Sequence, residues 1–194
     1  MKVLGLMAFA IFALLIGFAS ANEEDHKFFA RLSGYNEVHF VAGPPAALRG
    51  AVSTKASGTF EAKLNQAGDI IDYVLSYKGL EAPVTQAHIH FGQPRTVGGI
   101  VVWLCQTVGT PAPAPVTDVK ITPICPTEGT VTGTITAGQV LAQSAQGIDA
   151  GEFDELIRAL RAGAAYANVH STTFTPGEIR GKIKTDDQKN KDDD

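Results

Sequence analysis

Three of the chain's five histidines fall on two short segments, Ala87-His88-Ile89-His90-Phe91 and Tyr166-Ala167-Asn168-Val169-His170. Read as strands, these segments send successive side chains to opposite faces. Ala87, Ile89 and Phe91 then share one face, and His88 and His90 share the other, about 7 Å apart along the strand. On the second segment Ala167 and Val169 point inward, while Tyr166, Asn168 and His170 lie together on the opposite face. Two imidazoles at this spacing can converge on one cation. A third from a second strand completes a three-nitrogen set suited to zinc or copper. The same residues also read as a polar network hydrogen-bonded to backbone, Asn168 or Glu178, or as a surface for a partner. His39, in Tyr35-Asn36-Glu37-Val38-His39, reads either as a fourth ligand or as an ordinary loop histidine.

Two arginines accompany the histidines. Arg95 lies in the loop after the first segment, Gly92-Gln93-Pro94-Arg95-Thr96-Val97-Gly98-Gly99, and Glu178-Ile179-Arg180 places Glu178 and Arg180 on one strand face. Each arginine reads as a solvated or salt-bridged side chain or, where an anion approaches a metal, as an electrostatic guide. Trp103, the one tryptophan, reads as core. No Ser-His-Asp order, phosphate loop or paired-carboxylate motif points to hydrolysis or phosphoryl transfer, so no catalytic residue is assigned.

The elements that must position these side chains are short β-runs separated by Gly, Pro and Asn. They cover 28–32, 58–64, 70–77, 86–91, 99–105, 129–136, 164–170 and 177–183, with Asn65-Gln66-Ala67-Gly68-Asp69 as hairpin turn material. Many short strands of this kind predict a mostly β fold, a Greek-key β-sandwich or barrel. One short helix is expected near residues 150–162. Phe153, Leu156, Ile157 and Leu160 form a single apolar stripe there. Asp149 and Glu152 resemble a capping box, and Gly163 suits the position after the helix end.

Lys2, the apolar run Val3 to Phe18 and Ala19-Ser20-Ala21 read as a signal peptide over residues 1–21, cleaved after Ala21 and leaving no transmembrane segment. Residues 22–185 then form a single β-domain, and 186–194 a disordered polar tail. A net charge of −4, with no run of Lys or Arg, argues against a nucleic-acid partner. The expected location is secreted or extracytoplasmic. Cys105 and Cys125, the only two cysteines, pair by default as a disulfide in that compartment. A thiolate metal site is the alternative.

Taken in order, Gln86-Ala87-His88-Ile89-His90-Phe91-Gly92 with Gly98-Gly99-Ile100-Val101-Val102, Gly129-Thr130-Val131-Thr132-Gly133, Gln146-Gly147-Ile148, Tyr166 to His170 and Gly177-Glu178-Ile179-Arg180-Gly181 resemble the CHRD (chordin-type) domain family. The resemblance covers about Phe28 to Ile183. One departure is that the family often carries Glu-Val-Pro-Pro where this chain has Glu37-Val38-His39-Phe40. The resemblance implies an exported domain. It does not imply the growth-factor antagonism of chordin, where such domains are repeated beside cysteine-rich modules. The set is more weakly similar to copper/zinc superoxide dismutase. There His88 and His90 would stand for the two copper ligands on one strand and His170 for a later one, but the zinc loop has no counterpart here. The expected function is therefore a non-catalytic extracytoplasmic binding module with a His-based copper or zinc site. The alternatives are a structural or adhesive module, contacting an extracellular protein or surface component, and a superoxide dismutase-like redox enzyme.

Overall fold

The alternation of apolar residues that marks the strands in the sequence becomes the wall of a barrel in the computed structural model, which describes residues 26–40 and 49–191. The expected signal peptide lies outside the described residues. The strands are β1 (Lys27–Ser33), β2 (His39–Phe40), β3 (Arg49–Gly50), β4 (Ser57–Leu64), β5 (Ile71–Lys78), β6 (Val84–Phe91), β7 (Gly99–Cys105), β8 (Gly129–Ile135), β9 (Ala165–Ser171), β10 (Ile179–Lys182) and β11 (Lys184–Thr185). The main sheet runs β7-β6-β9-β10-β1-β4-β5-β8, entirely antiparallel, with β11 beside β1, and β2 pairs only with β3. This is the mostly β, nearly closed barrel or sandwich that the strand pattern predicts.

The β1-β4-β5 wall follows the simple rule of one buried and one solvated face. On β5, Ile71, Tyr73, Leu75 and Tyr77 are buried while Asp72, Val74 and Lys78 are exposed. Phe28, Ala30 and Leu32 of β1 and Phe60, Ala62 and Leu64 of β4 join them in one core. The segment that follows β8 runs along the β7 edge, where the Leu141 N–H donates to the Val101 carbonyl at 2.9 Å. Tyr73 also reaches across to β7, its hydroxyl donating to the Leu104 carbonyl at 2.6 Å. Gly133 on β8 makes room for that ring, since a Cβ there would lie 2.4 Å from the Tyr73 oxygen.

The other half of the sheet departs from the rule, and the departure prepares the site. All seven residues of β9 are buried, and β6 buries Ala87 to His90 without a break. The inner face carries Ala87, Ile89, Ala167, Val169 and Ile179 into the main core. The outer face carries the histidines, and connecting segments rather than solvent cover it. One cover is the loop closed by the Cys105–Cys125 disulfide, the pairing expected from the sequence. Inside it, the buried Gln106 side chain donates to the Thr117 and Thr122 carbonyls and accepts from the Ala112 N–H. Ala112 and Val116 thereby pack on Trp103 in a small second apolar cluster. Trp103 is thus buried, as expected, but outside the barrel core.

The helix α1 (Phe153–Arg161) buries Phe153, Leu156, Ile157 and Leu160 into the main core. The expected capping box does not cap this helix: Glu152 is itself the N-cap and Asp149 lies before it, its N–H donating to the Glu152 carboxylate at 2.7 Å and its carboxylate accepting from Ser144. At the far end Gly163 takes φ +63°, and Gly163 and Ala164 donate to the Leu160 and Ala159 carbonyls, a Schellman ending. Within the polar segment read as a tail, a second helix α2 (Asp186–Lys191) forms. Asp186 and Asp187 lie in its first turn, where the helix dipole favours negative charge, and the Gln188 amide donates to the Arg161 carbonyl.

Candidate metal centre

The antiparallel pairing of β6 with β9 brings the two histidine segments together, setting His88 opposite Asn168 and His90 opposite Tyr166. His170 falls opposite Gln86 on the same outer face. The three histidines are 0 %, 7 % and 5 % exposed, so their charge state is decided by protein and not by water. One nitrogen from each lies within 4.8 Å of the others, and the set could hold a metal ion. The sequence expectation that these three side chains meet on one face is therefore correct.

Hydrogen bonds decide which nitrogen atoms are available. His90 Nδ1 lies 2.9 Å from the Gly98 carbonyl, and His170 Nδ1 lies 2.8 Å from the Thr175 carbonyl. A carbonyl only accepts, so both Nδ1 atoms carry the proton and both Nε2 atoms carry a lone pair. His88 Nδ1 stands 3.1 Å from His170 Nε2 and donates to it. The lone pair of His88 is then on Nε2. Both His88 Nε2 and His90 Nε2 are buried with no hydrogen-bond partner among the described residues.

Burial holds all three rings neutral. It pushes His88 well below the ordinary imidazole value, the neighbouring His170 and His90 adding to the effect. It pushes His90 down to about 4, against the raising effect of the Gly98 carbonyl. His170 is also lowered by burial, with the Thr175 carbonyl opposing. The group therefore presents lone pairs rather than positive charge, the state a metal ligand requires.

Aromatic rings wall the cluster. Trp103 meets the His88 ring edge-on at 4.3 Å, and Tyr166 stacks on His90 at 4.8 Å with 3° between the planes. The Tyr166 hydroxyl accepts from the Gly98 N–H at 3.2 Å, so Gly98 holds both His90 and its stacking partner. Only glycine fits there, because a Cβ would lie 1.8 Å from the Phe91 carbonyl oxygen. Gly98 and Thr175 act through their backbones, and only the Gly98-Gly99 doublet hinted at either from the sequence.

The remaining candidates lie elsewhere. His39 is not one of the three-histidine group; it packs edge-on against Phe174 at 6.2 Å. Glu178 and Arg180 do not pair with each other. The Glu178 N–H is tied to the Val169 carbonyl just before β10, and its buried carboxylate turns to accept from Thr54 and from the Glu81 N–H, both at 2.8 Å. Arg180 turns the other way: its guanidinium carbon sits 3.2 Å from the Tyr166 ring centre, and it donates to the Thr96 carbonyl at 2.7 Å. Arg95 is exposed and, with Arg180, lines a cleft of about 620 Å³ that includes Tyr166 but none of the three histidines. Glu37, which the sequence offered only as a neighbour of His39, is 5 % exposed in the same cleft. Burial raises its carboxyl above the usual range, opposed by the Val38 N–H and by Arg180.

No curated protein and no solved structure matches the chain. The model of the CHRD domain matches residues 28–183. That span opens in β1, closes just before β11, and contains every residue of the histidine cluster and its hydrogen-bond anchors. The chain belongs to the CHRD domain family.

Proposed function

We propose that the protein is an exported binding module that holds a copper or zinc ion through His88, His90 and His170. The observation that carries this reading is the pair of buried lone pairs, on His88 Nε2 and His90 Nε2, left without donors. An unpaired buried acceptor costs about 1–3 kcal/mol, and among the buried atoms left so in the described residues these two belong to the one group whose nitrogens cluster closely enough to hold an ion. Three further features support it. The anchors at Gly98 and Thr175 orient two of the rings in the way that carbonyls behind ligating histidines do. One nitrogen of each of the three rings lies within 4.8 Å of the others, a cluster compact enough for one ion to gather. The donor set, all imidazole, suits copper and zinc and not calcium or magnesium. Export is supported by the leader-like residues 1–21 and by the Cys105–Cys125 disulfide.

Trp103 provides the test, because it is the one tryptophan and touches His88. Copper(II) added to untagged protein should quench its emission, with a break at one equivalent, and zinc(II) should compete. His88→Ala/His170→Ala, checked for folding by circular dichroism, should abolish the break. Quenching that never saturates, or a folded double variant that binds as before, would overturn the reading.

A further inference from the structure

The cleft beyond Tyr166 has a charge opposite to that of the chain. Five cationic side chains line it, Arg31, Arg95, Arg180, Lys182 and Lys184, although the protein as a whole carries −4. Among the described residues, Glu37 is the single acidic one in the lining. Cations gathered in a concave, partly desolvated space attract an anion more strongly than the same charges spread over a surface.

The basic groups are also positioned. Arg180 is 3 % exposed, its guanidinium carbon 3.2 Å from the Tyr166 ring centre, and it is held by the Thr96 carbonyl at 2.7 Å with the Gln93 carbonyl farther off at 3.5 Å. A guanidinium so held has already given up the side-chain freedom that binding would otherwise take. Arg95 stands in the same loop at φ +64°, the one non-glycine among the described residues with positive φ. A side chain pays strain in that region, and such strain gathers at functional sites. The left-handed turn presents Arg95 at the mouth of the cleft, where it is exposed.

The cleft is not uniformly polar. Phe29, Val38, Pro94 and the Tyr166 ring form apolar stretches of its wall, and Tyr35, 74 % exposed, stands at its rim. A volume of about 620 Å³ falls in the range of small-molecule sites, roughly 300–1,000 Å³. We propose that this cleft, formed by β1, β10 and the loop from Gly92 to Gly98, binds a small organic anion: a phosphate or carboxylate head on the arginines and an aromatic or alkyl body against the apolar wall. The site is separate from the histidine cluster, so it stands whether or not a metal binds there.

Calorimetric titration of the purified full chain, stripped of metal and then dialysed into chelator-free cationic buffer, tests it, with phenyl phosphate, inorganic phosphate and benzyl alcohol as probes. Phenyl phosphate should bind saturably at one site, tighter than inorganic phosphate, and weaken as salt rises. Benzyl alcohol should not bind measurably. Arg95→Ala and Arg31→Ala, both at exposed positions, should each weaken phenyl phosphate severalfold, and Arg31→Ala/Arg95→Glu at least tenfold, with thermal unfolding unchanged. Equal binding of phenyl phosphate and benzyl alcohol, no saturable binding of either anion, or undiminished binding by the folded double variant would overturn the proposal. Binding of inorganic phosphate as tight as that of phenyl phosphate would remove the apolar part of the assignment and so overturn it as stated.

Discussion

His88 and His170 meet through one nitrogen each, Nδ1 to Nε2 at 3.1 Å, with one proton between them. His170 Nδ1 is committed to the Thr175 carbonyl, so in the uncharged pair the shared proton is the one His88 donates. Burial is what opposes a further proton here: it lowers His88 well below the ordinary imidazole value and lowers His170 as well.

Acid should destabilise the protein through this cluster before it affects the carboxylates. His90 titrates near 6.5 when unfolded and at about 4 when folded. Above the unfolded value both states are neutral and the ring contributes no pH dependence. As pH falls through 6.5 the unfolded chain gains a proton that the folded one refuses, so stability declines until pH passes about 4. For His90 alone the loss by pH 5 is about 2 kcal/mol, and His88 and His170 add to it in the same direction. Urea unfolding midpoints at pH 8 and pH 5 measure it. His90→Gln should flatten the slope between them, and an unaltered slope would contradict the assignment.

Gly98→Ala should disturb the cluster without touching a histidine. The new Cβ would meet the Phe91 carbonyl at 1.8 Å, so the loop must move and take with it the carbonyl that holds His90 and the N–H that holds Tyr166. We expect a stability loss of about 2 kcal/mol or more. If the metal reading holds, copper affinity should fall about 10–100-fold, as for other losses behind a ligand. Chemical denaturation and copper titration followed by Trp103 emission give the two numbers.

Much of this arrangement was legible in the sequence because strand alternation is a local rule. Ala87, Ile89, Ala167 and Val169 announced an inward face, and that alone fixed His88, His90 and His170 on the outward one. What alternation cannot say is whether an outward face is wet. Here it is dry, because the disulfide-closed loop and the segments around Gly98 and Thr175 fold over it, and those contacts are long-range and largely backbone. The Asp149 and Glu152 contact was legible for the same local reason, but it is not a cap, because the helix begins only at Phe153 with Glu152 as its N-cap. The Glu178 and Arg180 pairing failed because a shared face does not ensure contact when each side chain has nearer partners.

Tyr73→Phe should loosen the barrel seam. The lost hydroxyl leaves the buried Leu104 carbonyl without its 2.6 Å donor, at the β7 edge, which is not paired with β8 in the sheet. A cost of about 1–3 kcal/mol is expected. Amide hydrogen exchange should show faster opening at β7 and β8 than at β1 and β4, and uniform acceleration across the sheet would argue against a seam.

Reduction of the disulfide should be felt at the histidines as well as in stability. Cys105 ends β7 two residues after Trp103, and the 20-residue separation to Cys125 encloses the Ala112 and Val116 that cover the indole. Releasing a loop of this length costs about 3 kcal/mol in the chain-entropy account. Part of that loss should appear as local opening, since Gln106, the loop's internal tie, is next to the broken bond. Trp103 emission should shift to the red and become accessible to iodide while far-UV circular dichroism stays native, because the main core is built from the other face of the sheet. Exposure of Trp103 exposes the side of His88 it covers, so copper bound by the reduced protein should exchange faster with chelator. If reduction lowers stability and leaves the indole shielded, the disulfide serves the barrel and not the cover over the site.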